Sequence, residues 1–118
     1  MRIKMSSDLL RGHTDTIVLS LLKGGDSYGY EICKSILEKT DSSFELKEAT
    51  LYSSFRRLEQ LGCISSYWGD ESSGGRRKYY KITDAGLGMW EKNIAEWKFA
   101  SKILSNLFEE ELFDERTN

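Results

Sequence analysis

Proline is absent from this chain, histidine occurs once and cysteine twice in 118 residues. Each shortage excludes something. Without proline, no apolar periodicity is broken by a missing backbone donor, so a long pattern is free to run as one helix. With His13 the only imidazole, and Cys33 and Cys63 outside any CxxC-type spacing, the sequence offers no metal-ligand set. HExxH and phosphate-cradling GxxxxGK motifs are also missing, so an enzyme is not expected, nor a cofactor. No apolar run approaches the ~20 residues of a membrane helix, and the start MRIKMSSDLLRGH lacks a secretory h-region. The expected address is the cytoplasm, where Cys33 and Cys63 read most simply as small buried hydrophobes, a redox role being left open.

Net positive charge is lacking too: the formal charge is −2 and the pI about 5.5. That balance argues against a polyanionic partner until its distribution is considered. From Lys47 to Lys81 there are seven cations (Lys47, Arg56, Arg57, Arg76, Arg77, Lys78, Lys81) against four anions (Glu48, Glu59, Asp70, Glu71). The acids gather instead at the end, as Glu109, Glu110, Glu111, Asp114 and Glu115, where solubility is the simplest role. A hydrophobic content of 39% is enough for a core, and the length suits one folding unit.

Within the cationic stretch, Leu51, Phe55 and Leu58 recur at i, i+4 and i+7 and predict a helix from about Lys47 to Gly62 with one apolar stripe. Its far side carries Ala49, Ser53, Arg56 and Gln60, with Thr50 and Arg57 on one flank and Tyr52 on the other. Short side chains at the N-terminal end suit a helix that enters a major groove; the same layout also suits a solvated surface helix. The neighbouring segment favours the groove. Ile64 to Trp68 and Lys78 to Thr83 are rich in β-branched and aromatic residues and flank the turn-forming stretch Gly69 to Gly75, which predicts a hairpin. Alternation puts Arg76, Lys78, Tyr80 and Ile82 on one face, with Tyr80 and Ile82 toward the core, and Arg77, Tyr79 and Lys81 on the other. Arg76, Arg77 and Lys78 at its tip can straddle a sugar-phosphate backbone. Helix and hairpin in this order make a winged helix-turn-helix.

Upstream, TDTIVLSLLK (Thr14 to Lys23) reads as a core helix through Ile17, Val18, Leu21 and Leu22, stopped by Gly24, Gly25 and Asp26. Ser27 is placed to cap a second helix from Tyr28 to about Lys39, the first of the helix-turn-helix, with Thr40 to Ser43 as its connector. After the hairpin, Thr83 or Asp84 can cap a long final helix reaching toward Phe113. Leu87, Ile94, Ser101 and Phe108 share one heptad position; Trp90, Trp97, Leu104 and Glu111 share the other. A seam of this length exceeds what one small domain needs and predicts a homodimer, with residues 1–83 a DNA-binding domain and 84–118 a dimerisation helix with an acidic tail. The fold class is mainly α with a small β-hairpin.

Three segments, YGYEI (Tyr28 to Ile32), ATLYSSFRRLEQLGCI (Ala49 to Ile64) and GGRRKYYKITDAG (Gly74 to Gly86), resemble the signatures of the PadR-like transcriptional regulators, in the smaller subgroup with one C-terminal dimerisation helix. The likeness covers almost the whole chain. Two positions depart from it: Ala49 stands where the family usually has Gly, and Ser53 where it usually has Pro. The resemblance implies a homodimeric winged-helix repressor on double-stranded DNA, at an inverted repeat whose half-sites lie about one helical turn apart. It implies DNA contacts at Thr50, Tyr52, Ser53 and Arg57, with Tyr28 near the backbone and Arg76, Arg77 and Lys78 in the wing. Lys47 joins them on its charge alone, a solvated lysine being the alternative. It implies as well a small aromatic or phenolic effector, for which Trp97 matches a dimer-centre tryptophan of several relatives, while Trp90 and Trp97 serve equally as plain seam. The rival reading is a winged-helix module that binds protein through its aromatic seam and acidic tail, without specific DNA binding.

Overall fold

The computed structural model describes residues 5–70 and 75–109. Within them, five helices and one hairpin run in the order α1 (Ser7–Leu10), α2 (Thr14–Lys23), α3 (Gly29–Lys39), α4 (Glu48–Gln60), β1 (Ile64–Trp68), β2 (Lys78–Ile82) and α5 (Asp84–Phe108). The strands pair antiparallel from Ile64 opposite Ile82 to Trp68 opposite Lys78. This is the predicted winged helix-turn-helix with a long C-terminal helix; the short α1 carries no periodic signal in the sequence.

Burial by α2, α3 and α4 makes the core. Val18, Leu19 and Leu22 of α2 meet Ile32 and Ile36 of α3 and Leu51, Phe55 and Leu58 of α4. Tyr80 closes it from the hairpin, stacking on Phe55 at 3.7 Å between ring centres. Of the two hairpin residues expected inward, Tyr80 is buried and Ile82 half-buried. In α2 the burial centre is shifted by one residue, so that Leu19 is enclosed while Ile17 and Leu21 are only partly covered.

The connector between α3 and α4 works by backbone reversal. The Thr40 hydroxyl donates to the Ile36 carbonyl at 2.8 Å and accepts from Phe44 N at 3.2 Å. Asp41 and Ser42 then take the left-handed conformation at φ 52° and 63°, which costs an L-residue free energy and turns the chain sharply. The turn delivers Phe44 and Leu46 into the core just before α4 begins.

Ser27 does not cap α3. Tyr28 occupies the N-cap with an extended backbone and no side-chain cap bond. The Ser27 hydroxyl donates to Glu31 Oε1 at 2.6 Å, while its backbone exchanges two hydrogen bonds with Tyr80, at 3.2 and 2.8 Å. Pairing with the edge of β2 outcompetes the cap, because it satisfies a backbone donor and acceptor together. This bridge fixes the wing to the start of α3.

Thr83 caps α5 by accepting from Gly86 N at 3.1 Å, and donates to the Gly62 carbonyl at 2.7 Å. Gly86 is buried, and a Cβ there would overlap the Cys63 carbonyl oxygen. Cys63 is buried, its thiol 3.8 Å from Met89 Sδ, and Cys33 is half-buried, its thiol donating to the Leu46 carbonyl at 3.5 Å. Burial pushes both thiols up from their ordinary value, Asp15 adding to it at Cys63 and Glu48 and Glu45 at Cys33, which keeps them protonated and unreactive.

Beyond Ile94, α5 leaves the domain. The radius of gyration is 17.4 Å, against about 13 Å for a compact chain of this length. Glu71, Gly74, Glu110, Glu111, Phe113, Asp114 and Glu115 lie outside the described residues, so all of the acidic tail but Glu109, and the expected far end of the helix, do as well. Among the described residues no helix is long and apolar enough to cross a membrane.

Candidate nucleic-acid interface

α4 is held by the face that bears Leu51, Ser54, Phe55 and Leu58, all buried. The opposite face follows by helical geometry: Ala49, Tyr52, Arg56 and Gln60 are exposed and Ser53 is half-buried between them. Lys47 is the N-cap and exposed, with no side-chain cap bond. A small-residue N-terminal half and a cationic C-terminal half therefore face outward together.

On one flank of α4, Tyr52 lies against the first turn of α3. A Cβ on Gly29 would stand 2.6 Å from the Tyr52 hydroxyl, so only glycine lets the phenol approach. The adjoining Tyr28 meets Tyr79 edge-on at 5.3 Å and carries the Arg77 guanidinium over its ring at 4.9 Å. Tyr79 in turn stacks on Tyr67 at 5.6 Å, whose hydroxyl donates to Asp26 at 2.6 Å. Helix α4, the start of α3 and the wing thus form one continuous surface of tyrosines and cations. On the other wing face, Arg76 lies 5.3 Å over the ring of an exposed Trp68 and Lys78 5.8 Å over Tyr80. Cation–π packing of this sort pre-positions the charges without neutralising them.

The other flank of α4 differs. Arg57 sends Nε to Asp15 Oδ2 at 3.0 Å and Nη2 to Oδ1, a two-pronged pair, and the Ser54 hydroxyl donates to the same Oδ1 at 2.6 Å. Burial pushes the Asp15 carboxyl upward, but the bonds from Arg57 and Ser54 and the Arg57 charge outweigh it, so it sits below its ordinary value near 3.8. The Arg57 guanidinium is reciprocally raised by its bond to Asp15. A cleft of about 500 Å³ opens beside this pair, lined among others by Arg11, Lys47 and Thr50.

The expected site residues therefore fall into groups. Tyr28, Tyr52 and Arg77 are brought together; Lys47, Thr50 and Arg57 line one cleft, with Ser53 on the helix face between the two sets. Arg76 and Lys78 occupy the opposite wing face. Sequence reading missed Trp68, Asp15 and Ser54. Ser54 falls inside the stripe of Leu51, Phe55 and Leu58 and was visible by spacing; the Asp15 partnership, 42 residues away from Arg57, had no local signal.

Along α5, Leu87, Trp90 and Ile94 are half-buried. Trp90 is committed to its own domain: Nε1 donates to Ser20 at 2.7 Å and Lys23 lies over its ring at 4.7 Å. Asn93 donates to Thr16 at 2.9 Å, completing the attachment to α2. Trp97, Leu104 and Phe108 are exposed, and so are Phe99, Ile103 and Leu107, a second apolar row at i, i+4 and i+8 outside the heptad positions. Among the described residues, no group of three or more His, Cys, Asp or Glu is placed to hold a metal ion.

Comparison with known proteins agrees with this geometry. The model of the transcriptional regulator PadR-like family matches residues 18–92. A transcriptional regulator from Clostridium thermocellum has a similar structure, with a TM-score of 0.80 and 50% identity over 86% of this chain and 96% of its own. A PadR family transcription regulator from Clostridium difficile is similar with a TM-score of 0.70 and 40% identity, covering 81% and 97%. An uncharacterized protein of Lysinibacillus sphaericus is 47% identical over 103 residues, 87% of this chain and 94% of the relative.

Proposed function

This chain belongs to the PadR-like family of transcriptional regulators, and we propose that it is a ligand-responsive repressor binding an inverted-repeat operator as a homodimer. Members of the family are transcriptional regulators, not enzymes. The observation that carries the reading is the unbroken surface from Tyr52 through Gly29 and Tyr28 to Arg77, which joins the exposed face of α4 to the wing.

In this reading the exposed face of α4 enters the major groove, with Tyr52, Thr50 and Ser53 toward base edges and Lys47 toward a phosphate. Tyr28 meets the backbone where α3 begins, its uncapped N–H groups facing the same phosphates. Arg76, Arg77 and Lys78 follow the backbone into the adjacent minor groove. Arg57 stands apart from this set, because Asp15 already balances its charge. Residues 1–83 act as the DNA-binding domain, and 84–118 bring two of them together.

The bare end of α5 supports the homodimer: Trp97, Leu104 and Phe108 would otherwise stay in water. Light scattering after gel filtration at micromolar concentration should give twice the chain mass, and a monomer sinks the dimer. Because Trp90 is occupied by Ser20, an aromatic effector between subunits would stack on Trp97. A saturable change in tryptophan fluorescence with planar aromatic compounds, lost in Trp97→Phe, is the expected result; no response across a broad panel rejects it.

DNA binding itself is tested by mobility shift with the chain's own upstream DNA, excess unrelated duplex and two salt concentrations. A competition-resistant, salt-sensitive shift is expected. A purified dimer that leaves this DNA and duplexes selected from a random library unshifted at low salt would instead be a protein-binding module.

A further inference from the structure

We infer that Asp15 is a positioning residue that sets the strength of sequence-independent binding: it holds the Arg57 charge in balance at the edge of the DNA-reading helix and so withholds it from indiscriminate phosphate binding. This rests on the DNA-binding role proposed for α4. Two neighbouring arginines on α4 are exposed to solvent, but they differ in partners: Arg57 is engaged by Asp15 through both Nε and Nη2, whereas Arg56 has no ion-pair partner among the described residues. Both belong to the same basic dipeptide, which reads from the sequence as two equal cations. The fold makes them unequal.

Three features give Asp15 this role rather than that of a simple surface ion. It is itself half-buried, in the first turn of α2, where the helix dipole favours a carboxylate. The buried Ser54 hydroxyl donates to the oxygen that Arg57 Nη2 also engages, so the carboxylate cannot swing away to solvent without leaving that hydroxyl unpaired. And the pair borders the cleft that Lys47 and Thr50 line, next to the α4 N-terminus, where a phosphate would come closest to Arg57. Phosphate affinity depends on the count of cations that release counterions and carries no sequence information. An acid that removes one such cation therefore lowers binding to every sequence equally and leaves the ratio between sequences to the base contacts.

The test uses the full chain, a fluorescein-labelled duplex of mixed sequence and a duplex selected from a random library, with binding followed by anisotropy over a salt series. Asp15→Asn keeps the shape and the Ser54 bond but leaves Arg57 unbalanced. It should bind the mixed duplex more tightly, up to about eightfold at roughly 0.1 M salt, and steepen the log–log salt slope by about 0.9. The preference for the selected duplex should stay as in the parent, and Asp15→Asn with Arg57→Gln should return the slope to the parent's. A merely structural Asp15 predicts the reverse, weaker binding with the slope unchanged, and that result overturns the inference. Should Asp15→Asn fail to fold by circular dichroism, the double variant decides, because it removes both charges together. Its salt slope should match the parent's, and a slope shallower by about 0.9 would show that Arg57 was already counted. A parent that binds neither duplex overturns the DNA-binding reading itself, and this inference with it.

Discussion

Helices α4 and α5 are both amphipathic by sequence, yet one has its apolar face covered within the chain and the other does not. In α4, Leu51, Phe55 and Leu58 are all but removed from water, against α2, α3 and Tyr80. In α5 the first three turns are attached to α2 through Trp90 and Asn93, after which Trp97, Phe99, Ile103, Leu104, Leu107 and Phe108 stand exposed. The same periodicity thus serves a closed core in one helix and an open face in the other. Which it serves depends on whether the rest of the chain can reach it.

The contrast breaks most visibly at Phe55. Phe55→Ala removes the ring that stacks on Tyr80 and leaves a cavity, so thermal unfolding at low protein concentration should show a loss of about 3–5 kcal/mol. Phe108→Ala, 77% exposed in the chain, should leave the unfolding of a diluted, monomeric sample unchanged. Equal losses from the two would mean that α5 is covered by its own domain after all.

Next in size is the junction between the two helices. Gly86→Ala places a methyl against the Cys63 carbonyl and Ile82, and should cost about 2–3 kcal/mol in a urea melt, since backbone cannot yield there. Trp90→Phe keeps most of the packing but loses the bond to Ser20 and much of the attraction to Lys23. About 1 kcal/mol is expected, read by the same melt.

The smallest effect is one of pH. The Asp15 carboxyl is lowered in the folded chain, so its contribution is fully present above the ordinary carboxylate value near 3.8 and is lost as pH falls through the lowered one. Asp15→Asn should therefore flatten the acid limb of stability below about pH 4, measured by thermal melts at stepped pH. An unchanged limb would mean that the Arg57 pair dissolves in solution.

Much of the fold was legible in the sequence because it rests on local chemistry. The stripe at Leu51, Phe55 and Leu58, the Thr83 cap and the Ile64–Trp68 strand each follow from spacing and residue type, and the structure bears them out. Ser27 reads as a cap from its neighbours alone, because its competing partner, the edge of β2 at Tyr80, is remote in sequence. For the interface, spacing showed which faces carry cations and tyrosines. It left open that Tyr52 leans on Gly29 and that Arg77 covers Tyr28, contacts between segments that only folding brings together.

Sequence alone determined the spans of α2 and α4, the apolar stripe of α4 and where the cations lie, since these depend on neighbours within a turn or two. Tertiary structure decided which of those charges are free. Arg56 and Arg57 are adjacent and chemically identical, and what separates them is a carboxylate on another helix, brought within hydrogen-bond range by packing of α2 on α4. Electrostatic strength varies with distance and burial in space, and neither is encoded by position along the chain.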